Sequence, residues 1–328
     1  MTVRDIAALL AATTLAVGSS SDVMAAPHAA ASVATRLERV SLPAGLAFPN
    51  GVATSSDGSL YVGGVTSGRI WRRDVSGEWT VFYPGSADVY AVTSLRLDEE
   101  WGVLWGASPD AGAVLGVEAG RSPRPHRVFA LTLRTGALIA SAVVPEGGFG
   151  NDMVLDGAGG VYISDSRLGR IWRLGADLRS WTVVAEDPLL APGNGIGPAG
   201  IARLPGGDLV VSLFGKGEVV RINAPGPASR VEWIGVKRRL IRPDGMAVVD
   251  QDTVALTVGG SGEVVLLDVR TGDARVVATG LRGPVNIDVA NAVAHVTESG
   301  IVDPAMFDPS SPDPTAMSVV RLHLQGFN

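Results

Sequence analysis

Three oxygen-bearing side chains stand at equivalent places in similar segments of the chain: Asn50, Asn151 and Asp244. Each one enters a short apolar run, as in the sequences NGVA, NDMV and DGMA. Carboxylate and amide oxygens are ligands that a hard cation such as Ca²⁺ prefers. If the fold brings these residues together, they form a divalent metal site, to which the neighbouring Asp152 could add a second carboxylate, either as a direct ligand or from behind the ligands. The alternative is that Asn and Asp are turn residues at the start of a strand.

The segments that hold these residues are repeats. Residues 48–74, 150–174, 198–223 and 241–268 each contain three short apolar strands separated by Gly-rich turns. A unit of three or four short strands that recurs along a chain is typical of a β-propeller blade. Equivalent positions fall at Asn50, Thr93, Asn151, Ala199, Asp244 and Val285, and the intervals between them are 43, 58, 48, 45 and 41 residues. The sequence therefore predicts an all-β, six-bladed propeller of four-stranded antiparallel blades over residues 26–328.

In a propeller, the first strand of each blade lies innermost, so these six axial positions should converge at one face of the ring. Residues 36–42 alternate apolar and polar side chains ahead of the first repeat. A closed propeller often completes its last blade with a strand from the other terminus, which removes an open sheet edge. We expect residues 36–42 to do this.

Two insertions and two polar residues extend the candidate site. Residues 109–126 and 300–316 both follow the second strand of a blade, so both should border the same face, and long loops of this kind are usually functional. Glu298 ends the second strand of blade six, where it could contact a ligand or lie in solvent. Asn194, in the sequence PGNG, could reach the site from a loop or form a plain turn.

Composition excludes several classes of function. The net charge of −6 provides no basic surface for nucleic acid, and the chain has no Cys for disulfides, thiolate metal sites or a thiol nucleophile. The sequence contains neither a Gly-x-Ser-x-Gly elbow nor a phosphate-binding loop. The partner expected is a small molecule.

The first 25 residues resemble a secretory signal peptide. A basic residue precedes an apolar run at 6–17 that is too short to span a bilayer, and VMA at 23–25 suits cleavage before Ala26. The alternative is a buried or frayed helix at the amino terminus. We expect the protein to be exported to the periplasm or secreted, with no membrane span.

The motifs PDGM at 243–246, GND at 150–152 and SDGSLYV at 56–62 resemble those of the senescence marker protein/gluconolactonase family of sugar-lactone lactonases. That family shares a six-bladed superfamily with paraoxonases and strictosidine synthases. The resemblance implies that Asp244 binds metal and acts as a base and that Asn151 binds metal or substrate. Relatives have a glutamate at the position of Asn50 and an asparagine at the position of Ala199. Thr93 stands where paraoxonases have a histidine base, and we expect it to contact substrate.

The resulting hypothesis is a calcium-dependent hydrolase of a lactone or related ester, with Asp244 or Asp152 orienting or deprotonating water. Zinc or manganese would accept the same oxygen ligands. The alternative is a non-catalytic propeller that binds a small ligand, sugar or protein on its loop face. A strictosidine synthase-like activity is disfavoured because PVN occupies 284–286, where that activity needs a glutamate.

Overall fold

The computed structural model describes residues 37–111, 122–193, 195–301 and 310–324 of the chain. These residues form six four-stranded antiparallel sheets, which confirms the predicted fold class. The strands are β1 (Glu38–Val40), β2 (Pro49–Thr54), β3 (Leu60–Gly64), β4 (Ser67–Arg73), β5 (Trp79–Tyr83), β6 (Ser94–Asp98), β7 (Val103–Ser108), β8 (Arg127–Thr132), β9 (Leu138–Val143), β10 (Gly150–Leu155), β11 (Val161–Asp165), β12 (Arg170–Leu174), β13 (Trp181–Glu186), β14 (Pro198–Arg203), β15 (Leu209–Leu213), β16 (Glu218–Asn223), β17 (Arg230–Trp233), β18 (Pro243–Val248), β19 (Thr253–Val258), β20 (Glu263–Asp268), β21 (Ala274–Ala278), β22 (Pro284–Ala290), β23 (Val293–Glu298) and β24 (Ser318–His323). Short 3₁₀ turns lie at Pro145–Gly147, Pro188–Leu190 and Pro314–Ala316.

Each of the first five blades is a simple meander of four consecutive strands, from β2–β5 to β18–β21. The sixth has the order β22-β23-β24-β1, so the strand nearest the amino terminus completes the blade formed by the end of the chain. This closure was predicted, although β1 has three residues rather than the seven expected. The innermost strands of neighbouring blades contact one another around a closed ring.

The hydrophobic core consists of layers between adjacent blades. Six clusters of buried residues each join two neighbouring blades, and together they cover all six interfaces of the ring. Trp71 and Trp172, which occupy the same position in two repeats, pack in two of these layers. Their role in packing between blades agrees with the repeat pattern, because a side chain that recurs at one blade position meets the same neighbour each time.

Glycines allow the innermost strands to approach closely. A Cβ on Gly200 would lie 2.0 Å from the backbone oxygen of Asp244 in the next blade, and one on Gly245 would lie 2.6 Å from the Cα of Asn286. No side chain fits at such distances. The Gly that follows the axial position in blades four and five is therefore needed for the close approach of neighbouring inner strands.

His295, on β23, makes the protein sensitive to acid. It is 5 % exposed, its Nδ1 lies 3.0 Å from the hydroxyl of Thr54, and burial, with nearby Arg321, Arg73 and His323, lowers its pKa to about 4. In the unfolded chain a His titrates at about 6.5. Between these values the unfolded state binds the extra proton, so stability should fall as pH falls from about 6.5 to 4.

We expect this group to contribute a loss of about 2 kcal/mol in the free energy of unfolding between pH 7 and pH 5. Urea denaturation of His295→Gln at both pH values should show a smaller loss than the wild type. The matched control is His323→Gln, which changes an exposed His of the same blade that contributes least among the neighbouring charges to the lowered pKa of His295, so this variant should keep most of the wild-type dependence. An unchanged pH dependence in His295→Gln would contradict the prediction.

Among the described residues, no helix is long and apolar enough to cross a membrane. The predicted signal peptide, residues 1–25, lies outside the described part of the chain and stays a prediction.

Candidate functional site

A cavity of about 110 Å³ lies at one end of the innermost strands. We call it the axial cavity. Five of the six axial positions line it, namely Asn50, Thr93, Asn151, Asp244 and Val285. The sixth, Ala199, is fully buried. The convergence predicted for Asn50, Asn151 and Asp244 is therefore what the structure shows, whereas their chemical roles stay predictions.

A β-bulge places most of these side chains. In five innermost strands the register shifts at the axial position, as between Pro243 and Met246 on β18 and between Gly150 and Met153 on β10. Two residues of the inner strand then oppose one residue of the second strand. A bulge re-aims side chains, and here the first bulged residue lines the cavity in four of the five strands, with buried Ala199 as the exception.

The residue opposite the bulge carries a hydroxyl in four blades: Ser164, Ser212, Thr257 and Thr297. Each hydroxyl donates to the backbone oxygen of the axial residue of the next blade. Ser212 donates to Asp244 O at 2.8 Å, Thr257 to Val285 O at 2.7 Å and Thr297 to Asn50 O at 2.8 Å, while Ser164 bonds Ala199 O. These bonds satisfy the backbone oxygens of four axial residues within the protein. A ligand in the cavity would therefore contact axial side chains rather than these backbone oxygens.

The spacing of Ser and Thr in the repeats could have predicted these hydroxyls. Ser or Thr recurs twelve or thirteen residues after the axial position in blades three to six. An isolated hydroxyl within an apolar strand is unremarkable. Its recurrence at one blade position indicates a polar atom that the ring uses repeatedly.

A chain of hydrogen bonds orients the amide of Asn151. The Ser166 hydroxyl donates to Pro198 O at 2.6 Å, so it accepts from Asn151 Nδ2, which lies 2.9 Å away. With the nitrogen engaged, the carbonyl oxygen of the side chain is the atom left to face the cavity. Asn151 therefore presents an acceptor, as a cation or a donor group of a ligand requires.

Asp244 is a carboxyl group without a partner: among the described residues, no side chain or backbone amide donates to it and no cation pairs with it. It keeps contact with the cavity but is surrounded by protein. Burial and, to a smaller extent, the negative charge of Asp152 raise the pKa of Asp244 to about 8. A ligand that brings positive charge or a donor would relieve this cost.

Asp152 occupies a different environment from the one predicted. It is the second residue of the bulge, is 2 % exposed, and does not line the cavity. Arg96 donates to both of its carboxylate oxygens at 3.0 Å, and Ser94 Oγ donates at 2.6 Å. Because its oxygens already accept these bonds, the geometry favours a positioning role over the predicted catalytic one, and we assign no chemical step to Asp152.

Of the other predicted site residues, one lies at the cavity and one does not. Thr93 lines the cavity, but its hydroxyl donates to Asn151 O at 2.9 Å, which ties blades two and three together. Glu298 is fully buried and bound by arginines, so it is neither the ligand contact proposed nor a solvated strand end. Asn194 lies outside the described residues.

The cavity walls were not anticipated. They include the apolar side chains of Val65, Phe149, Ile196, Phe214 and Ile301. Ala111 and Ile301, near the starts of the two insertions, both line the cavity, so the described beginnings of the insertions lie at one face, while the rest of that prediction falls on residues outside the described part of the chain. Among the described lining residues Arg242 is the single cation, and it has a left-handed φ of 56° directly before Pro243. Among all the residues that the structure describes, no three or more His, Cys, Asp or Glu side chains lie close enough together to hold a metal ion.

Comparison with known proteins identifies the fold. A family model described as strictosidine synthase-like, N-terminal, matches residues 27–73, which reach from before β1 to the end of β4. A search of curated protein sequences finds no match.

Solved six-bladed propellers align with nearly the whole chain. A gluconolactonase from Xanthomonas campestris has a TM-score of 0.62 at 15 % identity, covering 88 % of this chain and 90 % of its own. A luciferin-regenerating enzyme has a TM-score of 0.63 at 14 % identity, with coverages of 89 % and 96 %. Virginiamycin B lyase from Staphylococcus aureus has a TM-score of 0.60 at 14 % identity, with coverages of 88 % and 99 %. The resemblance to gluconolactonase-type propellers is therefore confirmed at the level of the fold.

Proposed function

We propose that this protein is an exported hydrolase that opens a lactone or related ester in the axial cavity, with a divalent cation held by Asn50, Asn151 and Asp244. The observation that supports this most directly is that these side chains converge from three blades on one cavity, where the carboxyl group of Asp244 has no partner among the described residues. Export is proposed from the signal-like residues 1–25. The gluconolactonase with the same fold supports the reaction class by analogy alone.

The residues present fit a hard cation. Asp244 supplies a carboxylate that no described residue pairs with, and the hydrogen bond to Ser166 leaves the amide oxygen of Asn151 to face the cavity. Asn50 supplies a second amide. One carboxylate and two amides form a weakly charged ligand set, which suits Ca²⁺ with water completing the coordination. A bound divalent cation would polarise the substrate carbonyl as a Lewis acid.

The side chains then have separate roles. Asp244 orients the attacking water and holds its proton at a carboxylate oxygen. Arg242 lines the cavity, where its positive charge would stabilise the oxyanion that develops on the carbonyl oxygen. Thr93 holds Asn151 in place through its hydrogen bond to the Asn151 backbone. The apolar walls exclude water and strengthen these electrostatic interactions.

A panel of neutral lactones and aryl esters tests the proposal. Acid release should require added Ca²⁺, Mn²⁺ or Zn²⁺ and stop with EDTA, and the effective cation should also raise the melting temperature, because a ligand that binds the native state stabilises it. A rise in melting temperature without acid release would instead support the alternative function, a non-catalytic propeller that binds a ligand. That alternative is favoured by the single carboxylate among the described lining residues. If added cation caused neither acid release nor a rise in melting temperature, the proposed cation site would be wrong.

A further inference from the structure

A second concave surface adjoins the axial cavity. It has a volume of about 640 Å³ and lies between blades four and five, and it shares Ile196, Phe214 and Arg242 with the cavity. We call it the basic groove. Because the two share a wall, a molecule whose reactive part occupies the cavity extends naturally into the groove.

The charge of the basic groove is opposite to that of the whole protein. The chain has a net charge of −6, yet the described residues that line the groove include Lys216, Arg239 and Arg242 and no Asp or Glu. Lys216 Nζ donates one hydrogen bond to Leu189 O at 2.8 Å, which leaves two of its donors unused. Arg239 is exposed and makes no ion pair with a carboxylate in the described part of the chain. Cations gathered in a concave surface whose described lining residues include no carboxylate concentrate anions.

The axial cavity and the basic groove differ in the number of charged residues that line them, and this difference indicates the chemistry of a ligand that occupies both. The described residues that line the axial cavity are mostly apolar and include one cation, whereas those that line the groove include three cations. Arg242 lines both surfaces and has a left-handed φ of 56° directly before Pro243. A non-Gly residue with a positive φ is strained, and residues of this kind cluster at ligand-binding and active sites.

We infer that the basic groove is an anion-binding subsite, and that the molecule bound by this protein is amphipathic, with a compact apolar part that enters the axial cavity and a carboxylate or phosphate that lies against Lys216 and Arg239. This inference rests on the proposed function in taking the axial cavity as the place of the reacting group. It narrows the substrate from lactones and esters in general to those that bear an anion.

Calorimetric titration of the full-length protein with three small probes tests the inference. Phenylacetate and phenylacetamide share one apolar body and differ in charge, and phenyl phosphate replaces the carboxylate with a phosphate. Phenylacetate or phenyl phosphate should bind more tightly than phenylacetamide, and the advantage should decrease as NaCl increases. Whichever anion is preferred identifies the source of the charge.

Substitutions locate the binding. Lys216→Gln and Arg239→Gln should each weaken binding of the preferred anion about fivefold, as the loss of one solvent-accessible ion pair predicts. Arg230→Gln is the matched control, because Arg230 is exposed on β17 of blade four, far along the sheet from the groove-lining residues, and its loss changes the net charge equally. It should leave binding of the anion unchanged.

The inference is overturned if phenylacetamide binds as tightly as both anions, if none of the probes binds, or if Arg230→Gln weakens anion binding as much as the groove variants do. These results are distinguishable from failure of the proposed function. Cation-dependent hydrolysis of neutral esters without any preference for an anion would overturn the subsite alone. Selective anion binding without hydrolysis of any ester would support the subsite and contradict the enzyme.

Discussion

Asp244→Asn should lower hydrolysis by at least about 100-fold and abolish the rise in melting temperature caused by the cation. The substitution keeps the size of the side chain but removes the one carboxylate among the described residues that line the axial cavity. The neutral amide can neither hold a proton from water nor supply negative charge to a cation. Acid release and calcium-dependent thermal shifts measure the two losses separately.

The same variant should be more stable than the wild type when no cation is present. Burial raises the pKa of Asp244 to about 8, so between about pH 4 and pH 8 the folded protein binds more protons than the unfolded chain does. Stability therefore falls as pH rises through this range. Removing the group should increase the free energy of unfolding at pH 8 by an amount on the order of 5 kcal/mol, since the pKa rises by about 4 and each pKa unit corresponds to about 1.4 kcal/mol. Gain of stability with loss of activity is typical of residues kept for function.

Asp288→Asn is the matched control for both measurements. Asp288 is another carboxyl group whose pKa burial raises, and it lines a separate cavity at the other end of the innermost strands. Its substitution should leave the calcium response and hydrolysis intact. Unchanged cation affinity in Asp244→Asn would remove Asp244 from the site, and an equal loss of activity in both variants would indicate a general effect of burying amides near the axis.

Arg39→Leu should lower the free energy of unfolding by about 2–4 kcal/mol, since it takes a partner from a buried carboxylate. Arg39 on β1 donates through Nε and Nη2 to Glu298 at 2.9 Å, and Glu298 is 0 % exposed. Burial pushes the pKa of Glu298 upward, but hydrogen bonds from Arg39, Ser318 and the Arg282 backbone outweigh burial and hold the pKa below its usual range. This stabilisation is present above the ordinary pKa of Glu and is lost as pH falls through the lowered value.

The pair joins the beginning of the described chain to its end, because β1 is the outer strand of the sixth blade. Loss of Arg39 therefore weakens the closure of the ring as well as one ion pair. Arg282 Nη2, 3.5 Å from Glu298, compensates part of the loss. Urea denaturation at pH 7 measures the change, and a double-mutant cycle with Glu298→Gln isolates the coupling between the two side chains.

Glu38→Gln is the control for that experiment. Glu38 lies on the same strand and pairs with Arg321 across the same β1–β24 ladder, at 3.3 Å, but its side chain is exposed. An exposed pair contributes between about 0 and 1 kcal/mol, so this variant should remain close to the wild type. If Arg39→Leu were no less stable than Glu38→Gln, the buried pair would not hold the sixth blade closed.

The amino-acid sequence determined the architecture of this protein. Repeated apolar segments at intervals of 41 to 58 residues specify six similar sheets, and six such sheets close into a ring with its first strands at the centre. The meeting of Asn50, Asn151 and Asp244 follows from that symmetry, because equivalent positions in a ring of repeats lie near one axis. A strand left over at the amino terminus has one open edge to pair with, the end of the sixth blade.

The tertiary structure decided which of the neighbouring polar residues face the cavity. Asp152 and Asn151 are adjacent in sequence, but a bulge directs them to opposite surroundings, and periodicity does not reveal a bulge. Glu298 is polar and ends a strand, yet the closing strand covers it and supplies Arg39. The apolar walls and the basic groove come from loops whose paths depend on contacts between blades, so their meeting with the axial residues is a property of the assembled ring.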